Sequence, residues 1–123
     1  MKIIDSNILI YASQPQFAFL QPLITDITNA VSIVSKIETL GFPGLLLSDK
    51  LFLESVFKVL QILNLSSSII EKTIEIRQLK RISLGDAIIA ATALIHDCPL
   101  ITRNIDDFQH VPELILENPI SFP

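Results

Sequence analysis

Residues Gly85 to Leu94 read GDAIIAATAL, and the fold turns on them. From Ala87 to Leu94 only Thr92 carries a polar group, and alanine recurs at the positions where a helix needs small, strongly helix-forming residues. A helix apolar all round is buried rather than laid on a surface. Yet this one opens on a carboxylate. Asp86 either caps its own first turn, as the Ser83-x-x-Asp86 spacing of a capping box suggests, or faces something positive.

On the C-terminal side, His96-Asp97-Cys98-Pro99 stops the helix, and Leu100-Ile101-Thr102 reads as a strand followed by a polar turn, Arg103 to Asp107. Leu114 to Leu116 is expected as a final edge strand. On the N-terminal side, a helix from Ile69 to about Leu79 ends in Arg77, Lys80 and Arg81, which suit its negative end. Ser68-x-x-Glu71 gives it a capping-box start. Before it, Phe52, Val56, Val59, Leu60 and Leu63 form one helical face, and residues 62–65 straighten into a strand.

Gly41-Phe42-Pro43-Gly44 breaks the chain ahead of that helix. Ala30 to Val34 reads as a strand with Ser35-x-x-Glu38 capping the helix that follows. A helix is expected from Phe17, and Met1 to Ile4 is a buried strand ended by Asp5. Ser6 and Asn7 supply cap chemistry for a helical stretch through Ala12, which Pro15 breaks. Short apolar strands alternating with helices define an α/β domain with a mostly parallel central sheet, expected as one unit over residues 1–123.

Half of the residues are hydrophobic, few are aromatic and 18% are charged, so the expected core is aliphatic. A net charge of −4 and a pI near 5.0 argue against holding nucleic acid by bulk positive charge and leave room for a local basic patch. Cys98 is the only cysteine, which excludes an internal disulfide and a multi-cysteine zinc site and suits a reducing cytoplasm. No apolar run approaches the ~20 residues of a membrane span, and no basic segment precedes a leader-like apolar one. The expectation is a soluble, unprocessed cytoplasmic protein with no membrane partner.

Ligands of open parallel sheets collect beyond the carboxyl ends of the strands. Asp5 follows one strand, Glu38 lies in the first helical turn after another, and Asn104, Asp106 and Asp107 follow a third. Asp86 joins that rim if residues 81–84 deliver it there. Converging carboxylates repel, and a divalent cation that prefers oxygen ligands, Mg²⁺ or Mn²⁺, relieves them while gripping phosphate oxygens. The chemistry implied is phosphodiester hydrolysis.

Each acid except Asp5 also has a purely structural explanation. Glu38 answers to Ser35 and Asp86 to Ser83, Asn104 shapes a turn, Asp106 and Asp107 form a solvated pair, and His96 complements a helix C-terminus. A carboxylate ending an apolar strand needs a partner, and Ser6 or Asn7 already serves the cap.

The segments IIDSNILIY, VSIVSKIETLGF, SLGDAIIAATAL and LITRNIDDF, in this order, resemble the four motifs of the PIN-domain family, and in particular the toxin ribonucleases of VapBC toxin–antitoxin modules. The resemblance implies a three-layer α/β/α domain that hydrolyses RNA with Mg²⁺ or Mn²⁺. It places Asp5, Glu38 and Asp86 as metal ligands, Asn104 at the family's fourth site position, and Asp107 as the next acid able to reach the metal or its waters. Ser6 or Thr102 then orients a carboxylate or water. Gly85 stands where the family often has proline, and a neutral Asn104 favours one strong metal site over two.

An acidic site on RNA needs basic groups for the backbone, and Lys72, Arg77, Lys80, Arg81 and Arg103 flank Asp86 and Asn104. Arg103, Arg81 and Lys80 are the expected phosphate contacts, and a solvated helix face with Glu71 and Glu75 is the competing explanation. No side chain presents an obvious surface for stacking bases. The resemblance further implies a homodimer and a VapB-like antitoxin, with the aliphatic segment Phe42 to Leu63 as a surface for such contacts. Two other readings stand beside it: a PIN-like scaffold that binds RNA or a partner without cutting, and a phospho-receiver domain, which lacks here the acidic pair after the first strand and the late lysine it requires.

Overall fold

The computed structural model describes residues 1–120. The remaining residues, 121–123, of the expected domain lie outside the described residues. β1 (Ile3–Ile4) leads into α1 (Ser6–Ala12), and a 3-10 helix (Pro15–Leu20) runs on into α2 (Gln21–Ile24). β2 (Ala30–Ser32), α3 (Ile33–Leu40), α4 (Leu47–Val59) and β3 (Gln61–Leu63) follow. The chain continues through α5 (Ser67–Leu79), α6 (Leu84–Ile95), β4 (Leu100–Ile101), α7 (Ile105–Phe108) and β5 (Leu116–Glu117).

The strands form one sheet in the order β3-β2-β1-β4-β5, and every neighbouring pair is parallel. This order is not the 2-1-3-4-5 of flavodoxin-like receivers. β1 is central, and the chain winds from it first toward β2 and later toward β4. That reversal opens a crevice at the carboxyl end of β1, where Asp5 stands.

Successive strand residues divide between two cores, as the period of two requires. Ile4, Val31 and Ile101 meet Ile8 and Leu9 of α1, Leu20, and Leu53 and Val56 of α4. Ile3, Ala30 and Leu100 meet Ile69 and Ile76 of α5, Phe108, and the alanines of α6. The result is three layers with the sheet in the middle. Ala87, Ala90, Ala91 and Ala93 are wholly buried, and their small side chains let α6 lie close to α5 and to β1 and β2. Burial of that face, not its polar ends, fixes the helix.

Several boundaries differ from the sequence expectation, each for a local reason. Ser32, not Ser35, caps α3 by accepting a hydrogen bond from Val34 N at 3.1 Å, so the strand ends two residues early and Glu38 sits in the second turn. Asp5 is the N-cap of α1, not Ser6 or Asn7. Ser66 caps α5, with Ile69 N donating to its hydroxyl at 3.1 Å, which leaves Ser68 inside the helix. Leu60 is extended and ends α4 ahead of β3, so Leu63 belongs to a strand rather than to the helical face. Pro15 opens a helix, since its missing N–H costs nothing in a first turn. The polar turn after Thr102 contains the short helix α7, and β5 lies two residues later than expected, at the sheet edge.

Candidate functional site

Asp5, Asn7, Glu38, Asp86 and Asn104 line one cleft of about 280 Å³ at the carboxyl end of β1, together with residues of α1 and α3. Three separate elements deliver the acids. β1 ends on Asp5, α3 projects Glu38 from its second turn, and α6 offers Asp86 from its first.

Asp5 is buried and held on both oxygens. Oδ1 accepts from Ser6 N at 2.8 Å and Oδ2 from the Thr102 hydroxyl at 2.7 Å. The same hydroxyl accepts from Asn104 N at 3.0 Å, so Thr102 ties the end of β4 to the acid and to the turn beyond it. Burial pushes the Asp5 carboxyl up to about 6, against the pull of Thr102, with the negative charges of Asp86 and Glu38 adding to the rise. Asp86 is also raised, chiefly by burial, then by Asp107 and Glu38, with Ser83 easing it.

Ser83 does cap α6, accepting from Asp86 N at 3.2 Å, so the backbone half of the capping expectation holds while the carboxylate faces the cleft. The Ser35 cap that explained Glu38 does not exist. Ser35 is buried, and Ser6 Oγ lies 2.9 Å from its hydroxyl and 3.0 Å from Glu38 Oε1. Glu38 Oε2 rests against Gly85, at the place a Cβ there would occupy. Glycine in place of the family's proline thus makes room for the Glu38 carboxylate.

Among the described residues no Lys or Arg pairs with these acids. Among the described residues the ion pairs are Lys2 with Glu117 at 3.4 Å and Lys72 with Glu75 at 3.3 Å, both remote from the cleft. No three His, Cys, Asp or Glu side chains among the described residues stand close enough to hold an ion, so the carboxylates border the cleft with a gap between them. The donor set of three carboxylates and one amide is all hard oxygen, and two of the acids are pushed toward protonation, chiefly by burial and further by neighbouring negative charge. That chemistry fits Mg²⁺ or Mn²⁺.

Asp107 does not line this cleft. With Asp106 it borders an adjoining one, which shares Asp86 and also contains Lys80, Arg81 and His110. Lys72 is tied to Glu75, as the solvated-face explanation holds, and Arg77 is exposed on the same helix. Arg103 stands at the other side, its guanidinium 4.8 Å from the centre of the Tyr11 ring and 6.0 Å from that of Phe17. Sequence reasoning named Arg103 and missed its aromatic support, since no spacing rule joins Tyr11 to position 103.

Asn7 was also missed. Both polar atoms of its side chain are covered and have no hydrogen-bond partner, although the residue lines the acid cleft. Its position directly after the Asp5-Ser6 pair made it look like a cap, and that reading hid it. An apolar groove lined by Ile10, Phe42, Leu45 and Leu53 continues from the cleft, and Phe42, Leu46, Leu47 and Leu51 are exposed beside it. No described helix is long and apolar enough to cross a membrane.

The family model for the PIN domain matches residues 2–114. A chain of a toxin–antitoxin complex from Klebsiella pneumoniae is 30% identical, with a TM-score of 0.80, over 99% of this chain and 100% of that one. VapBC2 from Rickettsia felis, solved bound to a DNA fragment from its promoter, is 26% identical with a TM-score of 0.79, covering 95% and 97%. FitAcB from Neisseria gonorrhoeae is 25% identical with a TM-score of 0.77, covering 97% and 98%. None of the curated proteins compared with the sequence matches it. With an end-to-end family match and these folds in agreement, the chain belongs to the PIN-domain family.

Proposed function

We propose that this chain, as a single PIN domain, is a Mg²⁺- or Mn²⁺-dependent ribonuclease and the toxin of a VapBC-type toxin–antitoxin pair, acting in the cytoplasm. The observation that carries the reading is the cleft itself: Asp5, Glu38 and Asp86 share it with Asn104, no described Lys or Arg pairs with them, and burial with some mutual repulsion raises two of them. Asp5, Glu38 and Asp86 would be drawn in from the borders of the cleft to hold the cation, and Asn104 would contribute a neutral oxygen. A bound cation supplies charge neutralisation for the phosphate and a lower pKa for the attacking water.

The residues around the acids have separate tasks. Thr102 and Ser6 orient Asp5 and Glu38 through their hydroxyls. In the reaction a water oxygen bonds to phosphorus as the bond from phosphorus to the leaving ribose oxygen breaks; the proton the water loses passes to an ionised cleft carboxylate and on to solvent, and the leaving oxygen takes up a proton from solvent. Asp107 acts through its charge on Asp86 rather than as a cleft ligand. Arg103 on one side, and Arg81 and Lys80 in the adjoining cleft on the other, hold the RNA backbone.

The partners follow from the same reading. Relatives of this fold are found in toxin–antitoxin complexes, and the exposed apolar residues Phe42, Leu46, Leu47 and Leu51 beside the cleft offer a surface for a VapB-like antitoxin or for a second copy of the chain in a homodimer. A small DNA-binding reading frame next to this gene favours the toxin role over RNA processing.

The decisive experiment incubates the purified chain, free of antitoxin, with RNA in the presence and absence of Mg²⁺ or Mn²⁺. Cleavage is expected only with metal, and Asp5→Asn and Asp86→Asn should cut at background. Variants that cut as fast as the parent overturn the metal mechanism. An unmodified chain that binds RNA and never cuts it favours the scaffold reading.

A further inference from the structure

Arg103 is unusual in this chain. Like most of the described Lys and Arg residues it has no described carboxylate within ion-pair distance; unlike them, it faces aromatic rings. Its guanidinium lies over Tyr11, whose ring centre is 4.9 Å from that of the buried Phe17 with the two planes tilted by 52°. A cation over an aromatic face is attracted by the ring quadrupole, and the planar guanidinium offers its opposite face to a second π system. Arginine planes and aromatic rings are the surfaces on which proteins stack unpaired bases.

The placement matters as much as the stack. Tyr11 follows Ile10, and Arg103 precedes Asn104, and both of those neighbours line the acid cleft. Thr102, immediately before Arg103, is anchored to Asp5. The platform is therefore bolted to the site at a fixed distance, since Phe17 below it is buried in the core shared by α1 and α4. Tyr11 and Arg103 are each half-buried, so the stack reaches the surface.

We propose that Arg103, supported by Tyr11 and Phe17, is a stacking platform for an unpaired nucleobase next to the phosphate in the acid cleft. The proposal rests on the ribonuclease reading for its ligand. It asks more of Arg103 than charge.

The test uses the full chain in EDTA, where no cleavage occurs, and a short single-stranded RNA carrying one 2-aminopurine. Stacking quenches the 2-aminopurine, and Tyr11, the only tyrosine in a chain without tryptophan, reports from the protein side. Arg103→Lys keeps the charge and removes the plane. It should abolish the quenching and weaken binding by about tenfold or more, the range for one stacked base. An RNA with an abasic residue in place of the 2-aminopurine should bind the parent and the lysine variant alike.

Equal binding of the intact RNA by parent and Arg103→Lys overturns the platform, as does an abasic or fully paired RNA that binds the parent as tightly as the intact single strand. A parent that binds no RNA also overturns it. If the quenching is seen and the parent then fails to cut RNA with Mn²⁺, the platform stands and the nuclease reading falls. If the parent cuts and Arg103→Lys matches it in binding and quenching, the reverse holds.

Discussion

The Thr102 hydroxyl donates to Asp5 Oδ2 at 2.7 Å inside the protein, joining the end of β4 to the end of β1. It is the strongest force holding the Asp5 carboxylate ionised against burial. Thr102→Val keeps the shape and removes the donor, so the Asp5 pKa should climb beyond about 6, by roughly one further unit for a hydrogen bond to a charged group. In the metal-free chain the Asp5 carboxyl, followed by NMR, should titrate at correspondingly higher pH. An unchanged titration removes Thr102 from the control of Asp5.

A carboxyl raised from 3.8 to about 6 binds its proton more tightly folded than unfolded. Its contribution is therefore fully present below pH 3.8 and is lost as pH rises through about 6, a change of about 3 kcal/mol. Asp86 is raised as well and works in the same direction. Urea denaturation of the metal-free chain should show this fall across the window, and Asp5→Asn should flatten it and leave the chain more stable than the parent at pH 7.

Metal should reverse that loss. A ligand at a hundred times its Kd stabilises the folded state by about 2.7 kcal/mol, so Mn²⁺ should raise the melting temperature at pH 7. Asp86→Asn should abolish the rise. A chain whose melting temperature ignores Mn²⁺ has no cation site in this cleft.

Asn7 carries two covered polar atoms without partners on a helix where alanine is the better helix former. Asn7→Ala should stabilise the metal-free fold by about 1 kcal/mol or more, measured by urea midpoint. A loss of stability instead means that the amide is satisfied by water in solution.

A methyl at position 85 meets Glu38 Oε2. Gly85→Ala should therefore gain up to about 1 kcal/mol of helix stability while weakening Mn²⁺ affinity, because Glu38 must leave its place beside Ser6. Isothermal titration beside a melting curve separates the two effects. Unchanged affinity would show that the Glu38 carboxylate moves freely.

The alternation of strands and helices was readable because burial imposes it on the sequence. Ala87 to Leu94 had to be an inner helix, and Ile3-Ile4 and Leu100-Ile101 had to be inner strands. The caps were less readable. Ser32 and Ser35 offer the same hydroxyl three residues apart, and only the pairing of Ser32 with Leu63 in the sheet decides which one ends the strand. That choice moved Glu38 from a capping role into the cleft. The acids themselves were legible as a set, since a strand end, a helix turn and a helix start converge in any parallel sheet wound this way. The Arg103 stack was not, because contact between α1 and the segment after β4 is a product of the whole fold.

The position of β1 also governs when the protein exists at all. Its residues are made before those of the other strands, yet they occupy the centre of the sheet, and Ile3 and Ile4 pair with Leu100 and Ile101, made only after β2 and β3. Asp5 receives Thr102 only then. A nascent chain halted before β4 already holds Asp5, Glu38 and Asp86 but lacks the Thr102 anchor and Asn104, so the cleft is completed only once β4 and the turn after it have been made.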